Sequence, residues 1–160
     1  MPTVLVVCTG NICRSPMAEA LLRARLARDE ARQDWQVGSA GVWAPEGRPA
    51  SAYAIEEMAQ RGINLDGHRS RNVTRELIAE ADLVLVMTRH HAEALKVAFT
   101  EHAHKVYLFS EMVGQMYDIY DPYGGTRMDY AYIARELEQL IETGYERIVW
   151  RALVEETSGG

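Results

Sequence analysis

The sequence predicts an α/β fold, a doubly wound, four-stranded parallel sheet with helices on both faces. Three observations carry that reading. The β-branched apolar runs at residues 4–7 and 83–86 are too short for helices and too continuous for half-exposed strands, so they read as strands buried on both faces. Between the strands lie stretches in which apolar residues recur at helical spacing. Strands alternating with helices in this manner form parallel sheets, because a parallel return needs a long crossover.

Taken in order, the first strand at residues 4–7 leaves Cys8 at its carboxyl end. A helix follows with Pro16 at its first position, where a missing N–H costs no hydrogen bond. Ala18, Leu21, Leu22, Ala24, Leu26 and Ala27 share its inner face, while Arg23, Arg25, Arg28, Asp29 and Glu30 point outward. Residues 35–38 form a second strand that runs into a loop, Ser39-Ala40-Gly41, ending near the same edge as Cys8. Residues 42–48 are irregular, with Pro45 and Gly47, and carry Trp43, which either walls a pocket or folds back onto the core. A second helix spans about residues 50–61 and stops at Gly62.

The third strand, residues 83–86, leads to Thr88, a helix cap, and a helix reaching about Phe99. Residues 105–108 give the fourth strand, and residues 109–127 a long polar loop of the kind that is functional or disordered. The last helix, about residues 129–155, turns Tyr132, Ile133, Leu137, Leu140, Ile141 and Ile148 inward. These elements make one domain over residues 1–156 with the flavodoxin-like strand order 2-1-3-4, followed by a mobile tail over residues 157–160. Ligands of such sheets bind beyond the strands' carboxyl ends, where Cys8 lies.

Composition narrows the function. Seventeen basic against 23 acidic residues leave a net charge of -6, which argues against nucleic acid as a partner. No apolar run approaches the eighteen or so residues of a membrane span, and residues 4–7 are too short for a signal peptide core, so neither membrane insertion nor export is expected and the location is read as cytoplasmic. The two cysteines, Cys8 and Cys13, share one loop and so are no disulfide scaffold of the secreted kind. His90 and His91, and likewise His102 and His104, lack the company and spacing of a zinc site. They are expected to be solvated, and no metal or other cofactor is expected.

The stretch between the first strand and first helix carries the chemistry. Its successive N–H groups can turn inward and meet the positive end of the helix dipole, which makes residues Thr9, Gly10, Asn11, Ile12, Cys13, Arg14 and Ser15 an oxyanion cradle. Gly10 permits close approach of backbone to ligand, Asn11 tolerates a left-handed conformation, and Ser15 can place its hydroxyl near the sulfur. Arg14, six positions after Cys8, can grip two oxygens of a phosphate while the sulfur approaches phosphorus. An electropositive setting of that sort favours the nucleophilic thiolate. A nucleotide-binding loop is excluded, since it needs G-x-x-x-x-G-K-[ST] and this one has a single glycine and no lysine.

The run Val7-Cys8-Thr9-Gly10-Asn11-Ile12-Cys13-Arg14-Ser15-Pro16-Met17-Ala18-Glu19 resembles the signature of the low-molecular-weight protein tyrosine phosphatase family. The resemblance continues through Ser39-Ala40-Gly41, Gly62-Ile63 with His68, Ala81-Asp82-Leu83 with Met87, and Asp121-Pro122-Tyr123. It implies that Cys8 is a nucleophile, that Asp121 is the general acid with Asp118 as runner-up, and that His68 hydrogen-bonds Asn11. Ser39, at the end of the second strand, joins Asn11, Ser15 and His68 as loop support. Ile12, Trp43 and Tyr123 are the expected pocket walls. Similar enzymes acting on phosphoarginine carry Thr where this chain has Ile12, so the implied partner is a phosphotyrosine-containing protein, with phosphate and other oxyanions as inhibitors.

Cys13 has two readings, a thiol that bridges to Cys8 on oxidation or one that only packs beneath the loop. Three rival functions stand beside tyrosine phosphatase. They are an arginine phosphatase, an arsenate reductase using an external thiol, since the further cysteine pair of the thioredoxin-coupled type is missing from residues 82–89, and a non-catalytic phosphate-binding regulator.

Overall fold

In the computed structural model, which describes residues 1–158, β1 (Thr3–Cys8) occupies the middle of the sheet. It pairs in parallel with β2 (Gln36–Gly41) on one side and β3 (Leu83–Val86) on the other, and β4 (Val106–Leu108) completes the order β2-β1-β3-β4. This is the expected doubly wound arrangement. Val4, Val6, Leu83 and Leu85 face one core, shared with Met17 and Leu22 of α1 (Arg14–Ala27), Met58 of α2 (Ala52–Gln60) and Ile133, Leu137 and Ile148 of α5 (Arg127–Ser158). Leu5, Val7, Val84 and Val86 point the opposite way, against Ile78 of α3 (Arg75–Glu80) and Leu95 of α4 (Arg89–Ala98). Alternating strand residues therefore supply two cores, and each fully buried aliphatic side chain contributes about 1.5–3 kcal/mol.

Several boundaries differ from the sequence reading, each for a local reason. Ser39-Ala40-Gly41 is strand, not loop: Val6, Val7 and Cys8 pair with Ser39, Ala40 and Gly41, and Gly41 makes a further bridge to Asn72. Helix α1 starts at Arg14, two residues before Pro16, which still falls among the first four residues whose N–H groups have no intrahelical partner. On that helix Ala27 is exposed and Met17 and Ala20 are buried, and Arg25, expected to point outward, stacks on the Tyr145 ring at 3.8 Å. The short α3 escaped the sequence reading; Thr74 caps its start by accepting from Leu77 N, and Lys105 Nζ donates to the carbonyls of Ile78, Ala79 and Ala81 at its end.

Residues 109–127 are less loop-like than their composition indicates. A 3-10 helix, Phe109–Val113, buries Phe109 and Met112, and Ser110 Oγ both donates to Tyr117 O and accepts from Tyr117 N. Ile119 N then donates to Met87 O at 3.0 Å, which pins the segment to the end of β3. In α5, Tyr132 is 69% exposed rather than inward, because the buried stripe is set by Tyr130, Ile133, Leu137, Leu140 and Ile141. That helix continues through Thr157 and Ser158, which the sequence reading assigns to a tail; the rest of that expected tail, Gly159 and Gly160, lies outside the described residues. Among the described residues no helix is long and apolar enough to cross a membrane.

Candidate active site

β1 delivers Cys8 to the carboxyl edge of the sheet and α1 begins at Arg14, so the chain must reverse between them. Asn11 makes the reversal at φ 57°, the one non-glycine residue in the left-handed region among the described residues. Such a conformation persists only where the surroundings over-determine it. Here they do. The fully buried Asn11 amide donates to Ser15 Oγ and Ser39 Oγ, both at 2.9 Å, and its Oδ1 accepts from Arg71 N at 3.0 Å. His68 Nε2 lies 2.6 Å from Asn11 O. Ser15 of the same loop and three sequence-distant residues, Ser39, His68 and Arg71, thus meet on one asparagine.

The loop brings its groups onto the Cys8 sulfur. Ser15 Oγ lies 2.9 Å from Cys8 Sγ and the Asn11 N–H donates to the sulfur at 3.3 Å. Because Ser15 Oγ accepts from Asn11 Nδ2, its own hydrogen is available to the sulfur. Behind the loop, Gly41 has to be glycine, since a Cβ there would collide with the Thr9 carbonyl oxygen. The β2 register and the loop path are therefore matched residue by residue.

Arg14 is only 3% exposed, and its head is fixed on several sides. Nη1 donates to Ile119 O at 2.8 Å, and Nη2 lies 3.5 Å from Thr9 Oγ1 and 3.4 Å from Asp121 Oδ2. Its buried Nε takes no partner among the described residues. A buried cation with an unspent donor beside inward N–H groups suits an oxyanion. Asp121 stands at the mouth, half exposed, with Oδ1 accepting from Tyr123 N at 3.0 Å across Pro122. Asp118, the runner-up acid, is placed elsewhere: it accepts from Arg89 N at 2.9 Å and from Arg89 Nε at 3.3 Å, and those bonds hold its carboxyl below the ordinary range.

A cleft of about 360 Å³ joins these groups, lined by Cys8, Thr9, Gly10, Ile12, Cys13 and Arg14 below and by Trp43, Pro45, Asp121 and Tyr123 above. Trp43 is 84% exposed, so of its two readings the structure has it at the cleft and not in the core. Cys13 is buried, 3.1 Å from Tyr130 Oη and 3.5 Å from Ser51 Oγ, and burial pushes its thiol above the usual range. Both cysteines are free.

The histidine expectation needs one correction. His91 is not solvated but 2% exposed, because it completes a capping box on α4: Thr88 Oγ1 accepts from His91 N while His91 Nδ1 accepts from Thr88 N. Its Nε2 meets Thr9 Oγ1 at 2.8 Å. The Thr-x-x-His spacing was the available signal, overlooked because Glu or Gln usually fills that position. Arg71 and Tyr130 also went unseen, and nothing in their local sequence marks them. Among the described residues no three His, Cys, Asp or Glu side chains gather as a metal site.

The family model for low molecular weight phosphotyrosine protein phosphatase matches residues 3–152. The chain is 43% identical over 121 residues to a probable low molecular weight protein-tyrosine-phosphatase of Ralstonia solanacearum, covering 76% of this chain and 78% of that one. It is 40% identical over 139 residues to a protein-arginine-phosphatase of Bacillus subtilis, covering 86% of this chain and 91% of that one. A solved low molecular weight protein tyrosine phosphatase from T. tengcongensis superposes with a TM-score of 0.86 at 41% identity, over 92% of this chain and 99% of that one. With the family model matched over residues 3–152 and a relative 43% identical across three quarters of each chain, the chain belongs to the low molecular weight phosphotyrosine protein phosphatase family.

Proposed function

We propose that this chain hydrolyses phosphotyrosine in proteins through a phosphocysteine. The observation that carries the reading is the convergence of Cys8, Arg14 and Asp121 on one cleft. In the first step the Cys8 thiolate attacks phosphorus, the P–O bond to the phenol breaks, and Asp121 gives its proton to the departing oxygen. Arg14 and the loop N–H groups take up charge on the three equatorial oxygens. In the second step Asp121 accepts a proton from water as its oxygen attacks phosphorus. The S–P bond breaks, inorganic phosphate forms, and the Ser15 hydroxyl steadies the departing thiolate. Asn11, Ser39 and His68 hold the loop in shape throughout.

Ile12, Trp43 and Tyr123 favour a phenyl ring. A second reading, phosphoarginine, draws on the 40% identity to the Bacillus subtilis protein-arginine-phosphatase. The apolar, β-branched Ile12 weighs for tyrosine, because a guanidinium pressed on it would lose hydrogen bonds to water without replacement. Arsenate reduction and non-catalytic phosphate binding are weaker readings, since neither uses a proton donor at Asp121. Phosphate and other oxyanions act as competitive inhibitors on this reading. A cytoplasmic setting, where thiols stay reduced, suits a mechanism that needs Cys8 as thiolate. Should peroxide convert Cys8 to its sulfenic acid, the Cys13 thiol, which lines the same cleft, would condense with it, releasing water and forming a disulfide.

The test compares kcat/KM on phosphotyrosine and phosphoarginine peptides and on arsenate, beside C8S. Phosphotyrosine is expected to be preferred, with C8S inactive yet still binding inorganic phosphate. A higher specificity constant on phosphoarginine reverses the substrate assignment, and an active C8S removes Cys8 as nucleophile.

A further inference from the structure

His91 is the one buried histidine, and the mechanism above does not use it. It sits in α4, 82 residues after Thr9 of the phosphate loop, yet its ring bridges the two. One ring nitrogen, Nδ1, accepts from Thr88 N at 3.2 Å and is therefore unprotonated. A neutral imidazole then carries its hydrogen on Nε2, which donates to Thr9 Oγ1 at 2.8 Å. Neutrality is enforced by surroundings: burial, the Arg14 guanidinium and His90 together hold the ring far below its ordinary range, at about 4, against the opposing pull of Asp121 and Asp118. The helix cap thus selects the tautomer, and the tautomer makes Thr9 Oγ1 an acceptor on this side.

Thr9 in turn faces Arg14, whose Nη2 lies 3.5 Å from the same oxygen. With one lone pair engaged by the neutral His91 ring and the other turned to the Arg14 guanidinium, the Thr9 hydroxyl has a single orientation, its hydrogen directed away from both donors. Ile119 O holds the other end of the guanidinium at 2.8 Å. Three acceptors therefore surround the Arg14 head, Ile119 O, Thr9 Oγ1 and Asp121 Oδ2 at 3.4 Å from Nη2, and of these Thr9 Oγ1 is the one that depends on α4. Thr9 also lines the cleft beside Cys8.

We propose that His91 is a positioning residue: through its Nε2 hydrogen it fixes Thr9 Oγ1 as the acceptor that sets the Arg14 guanidinium against the phosphate. The inference rests on the phosphatase reading for its consequence in turnover, and on geometry alone for its consequence in anion binding. A cap in α4 that served only to start the helix would need the Nδ1 contact and not the Nε2 one. The two nitrogens can be separated. H91N keeps an acceptor near the position of Nδ1 and loses the donor to Thr9, whereas H91Q keeps a donor near the position of Nε2 and loses the cap acceptor.

The experiment measures p-nitrophenyl phosphate hydrolysis, affinity for inorganic phosphate by calorimetry, and thermal melting for the full chain, H91N, H91Q and T9V. Expected are a loss of about tenfold in kcat and in phosphate affinity for H91N with a melting temperature near the parent's, the scale of one charge-assisted hydrogen bond. H91Q is expected to rescue kcat and phosphate affinity to within about threefold while melting lower, since it restores the donor and not the cap. T9V, which leaves α4 untouched, should match H91N, and the double variant should lose little more than either alone. H91N or T9V with parental phosphate affinity overturns the proposal, as does an H91Q that loses as much as H91N. A parent protein unable to hydrolyse the ester overturns the phosphatase reading alone, while the phosphate affinities still decide the role of His91.

Discussion

Cys8 Sγ and Ser15 Oγ stand 2.9 Å apart, and the direction of the bond between them is settled by a third residue. Asn11 Nδ2 donates to Ser15 Oγ, which leaves the serine hydrogen for the sulfur. A hydroxyl held in that orientation favours negative charge on sulfur, which on the proposed mechanism is present in the thiolate before attack and returns as the S–P bond breaks. S15A removes this donor and also leaves one Asn11 N–H without its acceptor. The expected result is a fall in kcat of about 10- to 100-fold with KM nearly unchanged, the scale of one hydrogen bond to a charged group. Steady-state kinetics on p-nitrophenyl phosphate decide it; a parental kcat would free Ser15 from any role at the sulfur.

Asp121 touches the active site by its charge while belonging to the surface by its exposure, 48% for the side chain. An exposed ion pair contributes little to stability, so D121N should melt within about 0.5 kcal/mol of the parent. Activity should divide from stability. On esters with poor leaving groups D121N is expected to lose a factor of about a hundred to ten thousand in kcat, and less on p-nitrophenyl phosphate, whose leaving group needs no proton. Equal losses across leaving groups would take the proton donor's role away from Asp121.

Gly41 ends β2 directly behind the phosphate loop. A Cβ there would strike the Thr9 carbonyl oxygen and stand 3.0 Å from Ala44 Cβ. G41A must push the loop outward, at a cost of about 1–3 kcal/mol for overpacking. Phosphate affinity should fall at least as steeply as stability, because the displaced peptide belongs to Thr9 of the loop that lines the cleft. Calorimetry beside thermal melting would show it; an intact phosphate affinity in a folded G41A would mean that the loop does not depend on the β2 register.

His91 also makes stability depend on pH. Its ring, ordinarily near 6.5, is held at about 4 in the fold, chiefly by burial and then by Arg14 and His90. Between those values the unfolded chain binds the proton and the folded one does not, so stability rises with pH across that window, is complete above about 6.5, and falls as pH drops toward 4. The full span amounts to roughly 3 kcal/mol. Melting temperatures from pH 4 to 7 should show this slope in the parent and a shallower one in H91N, and identical slopes would mean that His91 already titrates normally in the fold.

Where the chemistry is local, the sequence displays it. The buried runs at residues 4–7 and 83–86 and the strand-loop-helix path from Cys8 to Ser15 follow from residues within one turn or one strand of each other. Asn11 could be placed in a left-handed bend from its neighbours alone, and its φ of 57° agrees. Elements held by distant partners were harder to see. The segment at 109–119 looks like loop because its anchors are Ser110 to Tyr117 and Ile119 to Met87, contacts that no local periodicity records. A His-His pair carries no apolar signature and reads as solvated, and only the packing of α4 against the phosphate loop buries His91.

By itself the sequence determined that a thiol and a guanidinium would share one anion cradle, because a strand end, a left-handed residue and a helix start lie in eight consecutive positions. The tertiary structure decided which carboxylate joins them. Asp118 and Asp121 are both chemically able, but Arg89 at the start of α4 takes Asp118 and leaves Asp121 facing Arg14. It also decided how the cradle is braced, by Ser39, His68, Arg71 and His91 arriving from separate elements. The physical reason is the parallel sheet: with all strands running one way, their carboxyl ends and the loops that follow gather on one edge, and residues far apart in the chain meet there.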